Sequence, residues 1–456
     1  MCQGPLLGPM LRFSFPIMLT SFLQQLFNAA DVILAGQLLS GGSDMVAAVG
    51  STTALTGLMV NFFIGCSTGG AVAVSHAVGS KDTDQIKKTI HTAIMLSFVI
   101  GALLTVGGIF AAEPLLQKMD TPSNILTHST AYLQVYFTGM IPYMVYNFSA
   151  AVLRSIGETQ KPLYFLFISG SVKIGLMFLF VSGLDFGITG LALSTAVSQL
   201  VSASLGILAL AKRKDIYQLR FRQLRFHAQP LKKILMLGIP SGIQSTTFSL
   251  SNVLIQTHIN SLDVLPGFIA GNAAAGSLIN FADAVTGAYY HTAINFTGQN
   301  VGAKNYERVK KLYLTLSGLS IAVIAVISAG VILFSKQLLG IYITDSPDAI
   351  VWGKVRLMYI FAPLIFQGLM DVTSGTLRGM GITISNTIAS LTGICGFRIA
   401  WCFTVFQQPS FHTPDMLFLC YPISWIITYL AQIVILTIVY KKRIAQFPIS
   451  ASTALQ

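Results

Sequence analysis

The chain repeats itself at a fixed distance of about half its length. Pro16, in Leu11-Arg12-Phe13-Ser14-Phe15-Pro16, recurs as Pro240 in Leu235-Met236-Leu237-Gly238-Ile239-Pro240. Val78-Gly79-Ser80-Lys81-Asp82 recurs as Val301-Gly302-Ala303-Lys304-Asn305, and Leu153-Arg154-Ser155-Ile156-Gly157 as Leu377-Arg378-Gly379-Met380-Gly381. The offsets are 224, 223 and 224 residues. Three short matches in one register mean two copies of one unit, so any fold must be buildable twice. Duplication of an apolar unit is the usual ground plan of a secondary transporter, with the substrate site between the copies.

The solvent of that fold follows from composition. With 53% hydrophobic and 10% charged residues and a mean hydropathy of +0.70, the chain is far from the roughly 25% charge of soluble domains and belongs in a bilayer. Apolar stretches long enough to span, at about 20 residues each, cover 10–35, 46–74, 90–112, 127–150, 161–183, 187–211, 234–260, 267–298, 309–334, 347–373, 384–407 and 416–440. The first is too long for a cleaved signal and lacks a small-residue processing site. The expected fold is an all-α membrane protein of twelve transmembrane helices in two homologous six-helix lobes. Because six is even, the lobes are expected to be related by a pseudo-two-fold axis along the membrane normal. The predicted divisions are a lobe over 1–211, a basic linker over 212–233, a lobe over 234–440 and a tail over 441–456.

Basic residues give the orientation. Of the 28 Lys and Arg, 22, from Arg12 to Arg443, fall on one side of these spans. Only Lys118, Lys336, Lys354 and Arg356 fall on the other, and Lys173 and Arg398 lie within spans. The asymmetry places both termini in the cytoplasm of a multi-pass protein of the plasma (inner) membrane. The net charge of +12 is thereby explained by topology, without a nucleic-acid partner. The 212–233 run is expected to lie along anionic headgroups. The five cysteines show no metal-ligand spacing and the histidines no HExxH pair. The only Gly-Lys dipeptide, Gly353-Lys354, is not in a phosphate loop. No cofactor and no metal are expected, so energy for pumping would come from an ion gradient.

Charge near the bilayer centre costs at least about 2.5–3.5 kcal/mol, so the few intramembrane charges are the candidate site. Gln24, Asn28 and Asp31 are spaced i, i+4, i+7 and stack as a polar stripe on the first helix. Asp31 is read as a carboxylate that takes a proton or cation, against the blander reading of a helix-end residue reaching water. Lys173 lies mid-span in the fifth helix and needs a partner. The sixth span carries Thr195, Ser198, Gln199 and Ser202, which suit cavity lining or helix-helix hydrogen bonding equally. Gln244 and Asn252 are further lining candidates on the seventh span. Asp283 lies in helix eight, where Gly276, Gly287 and Gly298 suggest an irregular span. Asp371 in helix ten and Arg398 in helix eleven are expected to form a structural ion pair. Pro16, Pro142, Pro240 and Pro363 suggest matched bends.

Several of these residues fall in motifs that resemble a known family. Gln24 to Gly36 with Ala47-Ala48-Val49-Gly50, Leu153 to Pro162, Gly298-Gln299-Asn300-Val301-Gly302-Ala303 and Leu377 to Gly381 are similar to signatures of the multidrug and toxic compound extrusion (MATE) transporters, and the likeness covers essentially the whole chain. The resemblance implies two six-helix lobes that export organic cations and other amphipathic compounds in exchange for protons or sodium ions, with Asp31 matching a coupling aspartate. It also implies two departures. Lys173 and Met177 stand where many relatives carry Asn and Asp, and 240–262 lacks the acid of the NorM-like branch. Arg398 and Trp401 resemble the helix-eleven Arg and Trp of a bacterial subgroup. By this resemblance helix five packs beside helix one at the height of Asp31, so Lys173 is expected to pair with Asp31.

The leading expectation is therefore an ion-coupled antiporter working by alternating access, with Asp31, Lys173, Asp283 and Asp371 in coupling. Its partners would be small amphipathic or cationic substrates and the bilayer, in a monomer. The alternatives are a lipid or lipid-linked sugar flippase, which would favour a strongly basic cavity, and a membrane-embedded enzyme, for which no catalytic motif is present.

Overall fold

The duplicated landmarks become duplicated local structure. Lys81 and Lys304 both take left-handed backbone, with φ of 59° and 58°. Each is followed by a capping residue: Asp82 accepts from the amides of Asp84 and Gln85, and Asn305 from that of Arg308. Asp and Asn suit this position because a short side-chain oxygen reaches the otherwise orphan amides of a helix start. The third landmark ends a helix in each copy. Gly157 and Gly381 turn left-handed at φ 97° and 81°, while the amides of Glu158 and Ile382 reach back to the carbonyls of Leu153 and Leu377. Glycine fits such a terminus because a Cβ is unfavourable at positive φ.

The computed structural model describes residues 1–38, 42–119, 121–262, 266–343 and 346–446, apart from some side chains between residues 31 and 58 and that of Gln446. The described elements are helical. The first copy contains α1 (Leu7–Leu38), α2 (Gly42–Ser80), α3 (Thr83–Lys118), α4 (Ser123–Thr138), α5 (Met140–Ser155), α6 (Gln160–Met177), which runs into a π-helical turn at Phe178–Gly183, and α7 (Gly187–Ala211). The second contains α8 (Ala228–Asn260), α9 (Phe268–Gly302), α10 (Tyr306–Leu333), the short α11 (Ser335–Gly340), α12 (Pro347–Phe361), α13 (Leu364–Gly379), α14 (Thr383–Ser390), a π turn at Leu391–Gly396, α15 (Phe397–Phe403) and α16 (Pro414–Gln446). With the six-residue α11 set aside, and α4–α5, α12–α13 and α14–α15 each joined across its break, these match the twelve predicted spans.

By length and apolarity alone only some of them qualify as membrane-crossing. Ala47–Ser80, Thr83–Lys118, Gln160–Gly183, Gly187–Ala211, Tyr306–Leu333 and Pro414–Ala445 do so singly, and α12 with α13 makes a pair bent by 44°. Helices α1, α8 and α9 fall short, and they carry Gln24, Asn28, Asp31, Gln244, Asn252 and Asp283. A polar stripe lowers hydropathy where it serves a purpose. The prolines divide into two kinds. Pro16 and Pro240 sit inside unbroken helices, whereas Pro363 lies at the α12–α13 bend and Pro142 in the first turn of α5, just past the α4 terminus. Helix α9 is continuous, so the irregularity expected from its glycines does not occur.

Two compact units result, Leu19–Ser249 and Met1–Met18 with Leu250–Gln456. The division falls inside α1 and α8, not in the 212–233 segment. In the first unit, Phe137, Phe148, Leu133, Val74 and Ile94 form a buried core. The start of α8 joins this unit through paired glycines: a Cβ on Gly65 would lie 2.6 Å from Gly242, and one on Gly69 would overlap Gly238. In the second unit α9 packs most extensively on α13. Its N-terminal piece is held by Arg308, which donates to the carbonyls of Met1 (3.3 Å) and Gly4 (2.8 Å), and by Phe13 edge-on to Phe296 at 5.3 Å.

Candidate ion-coupling and cargo site

In the first unit the α1 stripe exposes Gln24 and Asn28, while the Asp31 side chain lies outside the described residues. Lys173 is buried, 9% exposed, one turn along α6 from Gly170, whose Cα is covered by the ring of Phe27 on α1. Thr195 and Gln199 are half-buried on α7. Thr195 bonds back to the carbonyl of Leu191 at 3.2 Å. Gln199 lies against Gly139, at the break between α4 and α5, and its buried Oε1 has no hydrogen-bond partner among the described residues. On α8, Gln244 is buried and Asn252 exposed.

The second unit gathers more charge. Asp283 on α9 accepts from Gln367 Nε2 of α13 at 2.7 Å. Three residues further along α9, Thr286 hydrogen-bonds Asp371 of α13. The spacing puts Asp283 and Thr286 on one face of α9, and Gln367 and Asp371 on the facing stripe of α13. Two carboxylates thus stand on adjoining turns, each held by a neutral donor. Arg356 of α12 lies close by, donating to the Asn272 carbonyl at 2.8 Å and to its side-chain oxygen, and hydrogen-bonded to Tyr421.

The Asp371–Arg398 ion pair expected from the sequence is not formed. Arg398 is 5% exposed, donates to Ser424 Oγ at 2.9 Å and lies over the Tyr421 ring at 4.3 Å, so α16 satisfies it. The cation within electrostatic reach of Asp371 is Arg378, and Arg398 and Arg356 act on Asp283 instead. The π turn just before α15 supplies the reason: an extra residue in one turn rotates the rest of the helix about its axis, turning Arg398 to α16 while Asp371 faces α9. The neighbouring Trp401 donates to the Met416 carbonyl at 2.9 Å, fixing α15 on α16.

Lys173 and Arg398 are 225 residues apart, within a residue or two of the repeat offset, and each shares its span with a π turn. One intramembrane cation per copy is therefore part of the repeated unit. One family's sequence pattern also occurs in each half of the chain: the family profile described as MatE matches residues 16–179 and again 240–404. The chain belongs to the MatE family. It is 30% identical over 392 residues to a probable multidrug resistance protein, YpnP, of Bacillus subtilis (strain 168), covering 85% of this chain and 86% of that one. It is 23% identical over 399 residues to an FAD transporter of Shewanella oneidensis, covering 85% and 86%. Among solved structures it matches an outward-facing multidrug resistance MATE family transporter of the MOP superfamily with TM-score 0.86 at 19% identity, over 95% and 96% of the two chains. As a MATE family member it is a multi-pass membrane transporter and not an enzyme.

Sequence reasoning misses four members of the site. Arg356 reads, with Lys354, as lying outside the membrane. Asn272, Gln367 and Tyr421 are neutral, and only the fold shows that they meet charge. The one signal for them is register: Gln367 lies four residues before Asp371, on the same face of α13. A buried network, in which Asn386 donates to Ser374 at 2.8 Å and Gln432 donates to Asn386 at 3.1 Å and to Ser390 at 3.2 Å, is likewise invisible in the sequence.

Proposed function

We propose that this MATE family transporter is a proton- or sodium-coupled antiporter that exports small amphipathic and cationic compounds by alternating access, as a monomer of the plasma (inner) membrane with both termini cytoplasmic. It would need no cofactor beyond the gradient. The observation that carries the reading is the stacked pair Asp283–Gln367 and Asp371–Thr286. A membrane carboxylate held by a neutral donor can gain and lose a cation without breaking a salt bridge, which is what coupling requires. Asp31 and Lys173 would supply the corresponding function in the first unit. Gln24, Asn28, Thr195, Gln199, Gln244 and Asn252 would line the cargo path.

The test is uptake of a fluorescent organic cation into proteoliposomes under separately imposed proton and sodium gradients. Asp283→Asn and Asp371→Asn should each lower gradient-driven uptake at least about tenfold, equivalent to about 1.4 kcal/mol, with the protein still folded. Normal uptake by both variants under both gradients would refute coupling through this unit. A second reading is favoured by Arg356 and Arg398, which have no carboxylate salt bridge among the described residues: cargo bearing a phosphate or carboxylate. It predicts that Arg398→Gln spares the cation and abolishes competition by an anionic compound.

A further inference from the structure

Away from these polar helices, the first unit has a cleft of 780 Å³ at the start of α6 and the end of α7, lined by Glu158, Lys161, Phe165, Leu205, Leu208, Ala209 and Lys212 to Asp215. Its two walls share one pattern. On α6, Lys161 stands in the first turn and Phe165 one turn further into the span. On α7, Leu205, Leu208 and Ala209 form an i, i+3, i+4 stripe that ends at Lys212 just past the helix. Each wall is therefore basic at the rim and apolar one turn inward. Leu208 is 47% exposed, as expected of a side chain turned to acyl chains.

The charges at the rim are unequal. Arg213 donates to both oxygens of Asp215 at 3.0 Å and also bonds Glu158, while Lys161 lies 2.7 Å from Glu158. Burial works to raise Glu158, but the hydrogen bonds from Lys161 and Arg213 outweigh it and hold the carboxyl below its ordinary value. Hydrogen bonding from Arg213 does the same for Asp215. Both acids therefore stay ionised and neutralise Arg213 and Lys161. Lys212 and Lys214, exposed at the mouth, have no acidic partner among the described residues. Two positive charges remain above an apolar wall.

We propose that this cleft binds an anionic phospholipid, its phosphate between Lys212 and Lys214 and the first part of an acyl chain along Phe165, Leu205 and Leu208. The walls match an amphiphile in which charge and hydrocarbon adjoin, and basic pockets between helix ends at the membrane surface are suited to anionic headgroups. A soluble phosphate would use the rim and leave the apolar wall without purpose.

The test is native mass spectrometry of the full-length protein in detergent, titrated with phosphatidylglycerol and with phosphatidylcholine of the same acyl chains. One lipid should be retained with at least about a tenfold preference for phosphatidylglycerol, and the variant Lys212→Gln/Lys214→Gln should lose that preference. Leu208→Ser should weaken retention of phosphatidylglycerol while sparing any binding of inorganic phosphate. Equal retention of the two lipids, or a preference unchanged in the double lysine variant, would overturn the proposal. Displacement of the lipid by millimolar inorganic phosphate would overturn it in favour of a soluble anion. Both lysines are exposed and have no acidic partner among the described residues, so the double variant should fold.

Discussion

At the scale of single residues, the second unit shows how a membrane protein can hold buried cations with neutral partners. Arg398 is held by a hydroxyl and an aromatic face, and Arg356 contacts an amide, a carbonyl and a phenol. Neutral partners avoid the cost of desolvating a second charge, which in a low-dielectric interior can exceed the Coulombic gain. Lys173 poses the sharper question. Phe27 contacts Gly170, and one turn onward on each helix come Asp31 and Lys173. The first and fifth spans run in the same direction, so the two backbone positions lie at similar heights. The expected outcome is an intramembrane pair: Lys173→Asn and Asp31→Asn should each cost about 3–5 kcal/mol, with the double variant costing less than either, because a single change strands a buried charge. Additive losses in a thermal-stability cycle would exclude the pair. The charged candidates were legible because an ionised residue in an apolar run is conspicuous. Arg356 was not, since near the end of a run a cation reads as a loop residue, and only the contact with Asn272 reveals it inside the unit.

At the scale of elements, close packing in lipid cannot rely on expelling water and depends on contact. The glycine pairs Gly65–Gly242 and Gly69–Gly238 let α2 and α8 approach until their backbones touch. Gly65→Val or Gly69→Val should therefore lower thermal stability by about 1–3 kcal/mol, as overpacking does, while valine at Gly50, which has open space around its Cα, should leave it nearly unchanged. A second device joins α3 to the segment after α7. The Arg220 amide donates to His91 Nε2 at 3.0 Å, so that nitrogen is bare and Nδ1 carries the proton toward the Lys87 carbonyl. His227 lies 3.2 Å from Thr92 through Nδ1, accepts from Arg225 at Nε2, and its own amide donates to Thr92. Burial first, then Arg225, Lys88 and His91, lower the His227 pKa against a small opposing effect of Asp84. The unfolded or released segment thus binds protons more readily. Attachment is complete above the ordinary histidine pKa of about 6.5 and weakens as pH falls through the lowered value. The hydrogen-exchange protection of residues 212–227, taken relative to the intrinsic rate at each pH, should fall between pH 7 and pH 5, and His227→Asn should flatten that response; pH-independent protection would rule the device out.

At the scale of the whole molecule, duplication predicts paired responses. Lys81 and Lys304 both occupy a left-handed turn in which a side chain costs roughly 1–2 kcal/mol, partly offset by the greater unfolded entropy of glycine. Lys81→Gly and Lys304→Gly should each raise stability by up to about 1 kcal/mol, and the two gains should add because the sites lie in different units. A gain at one and a loss at the other would show that the copies no longer share this turn. Sequence by itself determined what is local or periodic: the repeat, the apolar spans, and the charges too costly to be incidental. These are legible because propensity, hydropathy and offset depend on neighbours along the chain. Tertiary structure alone decided which groups meet. It placed the unit boundaries inside α1 and α8, where close glycine packing and the Arg308 contacts outweigh the break in composition at 212–233. It turned Arg398 to Tyr421 and Ser424 instead of Asp371, since one π turn rotates every residue beyond it, and it brought Gln367 and Thr286 to the two carboxylates. A side chain's partner depends on the rotation and height of a second helix, and hydropathy along a single chain does not encode either.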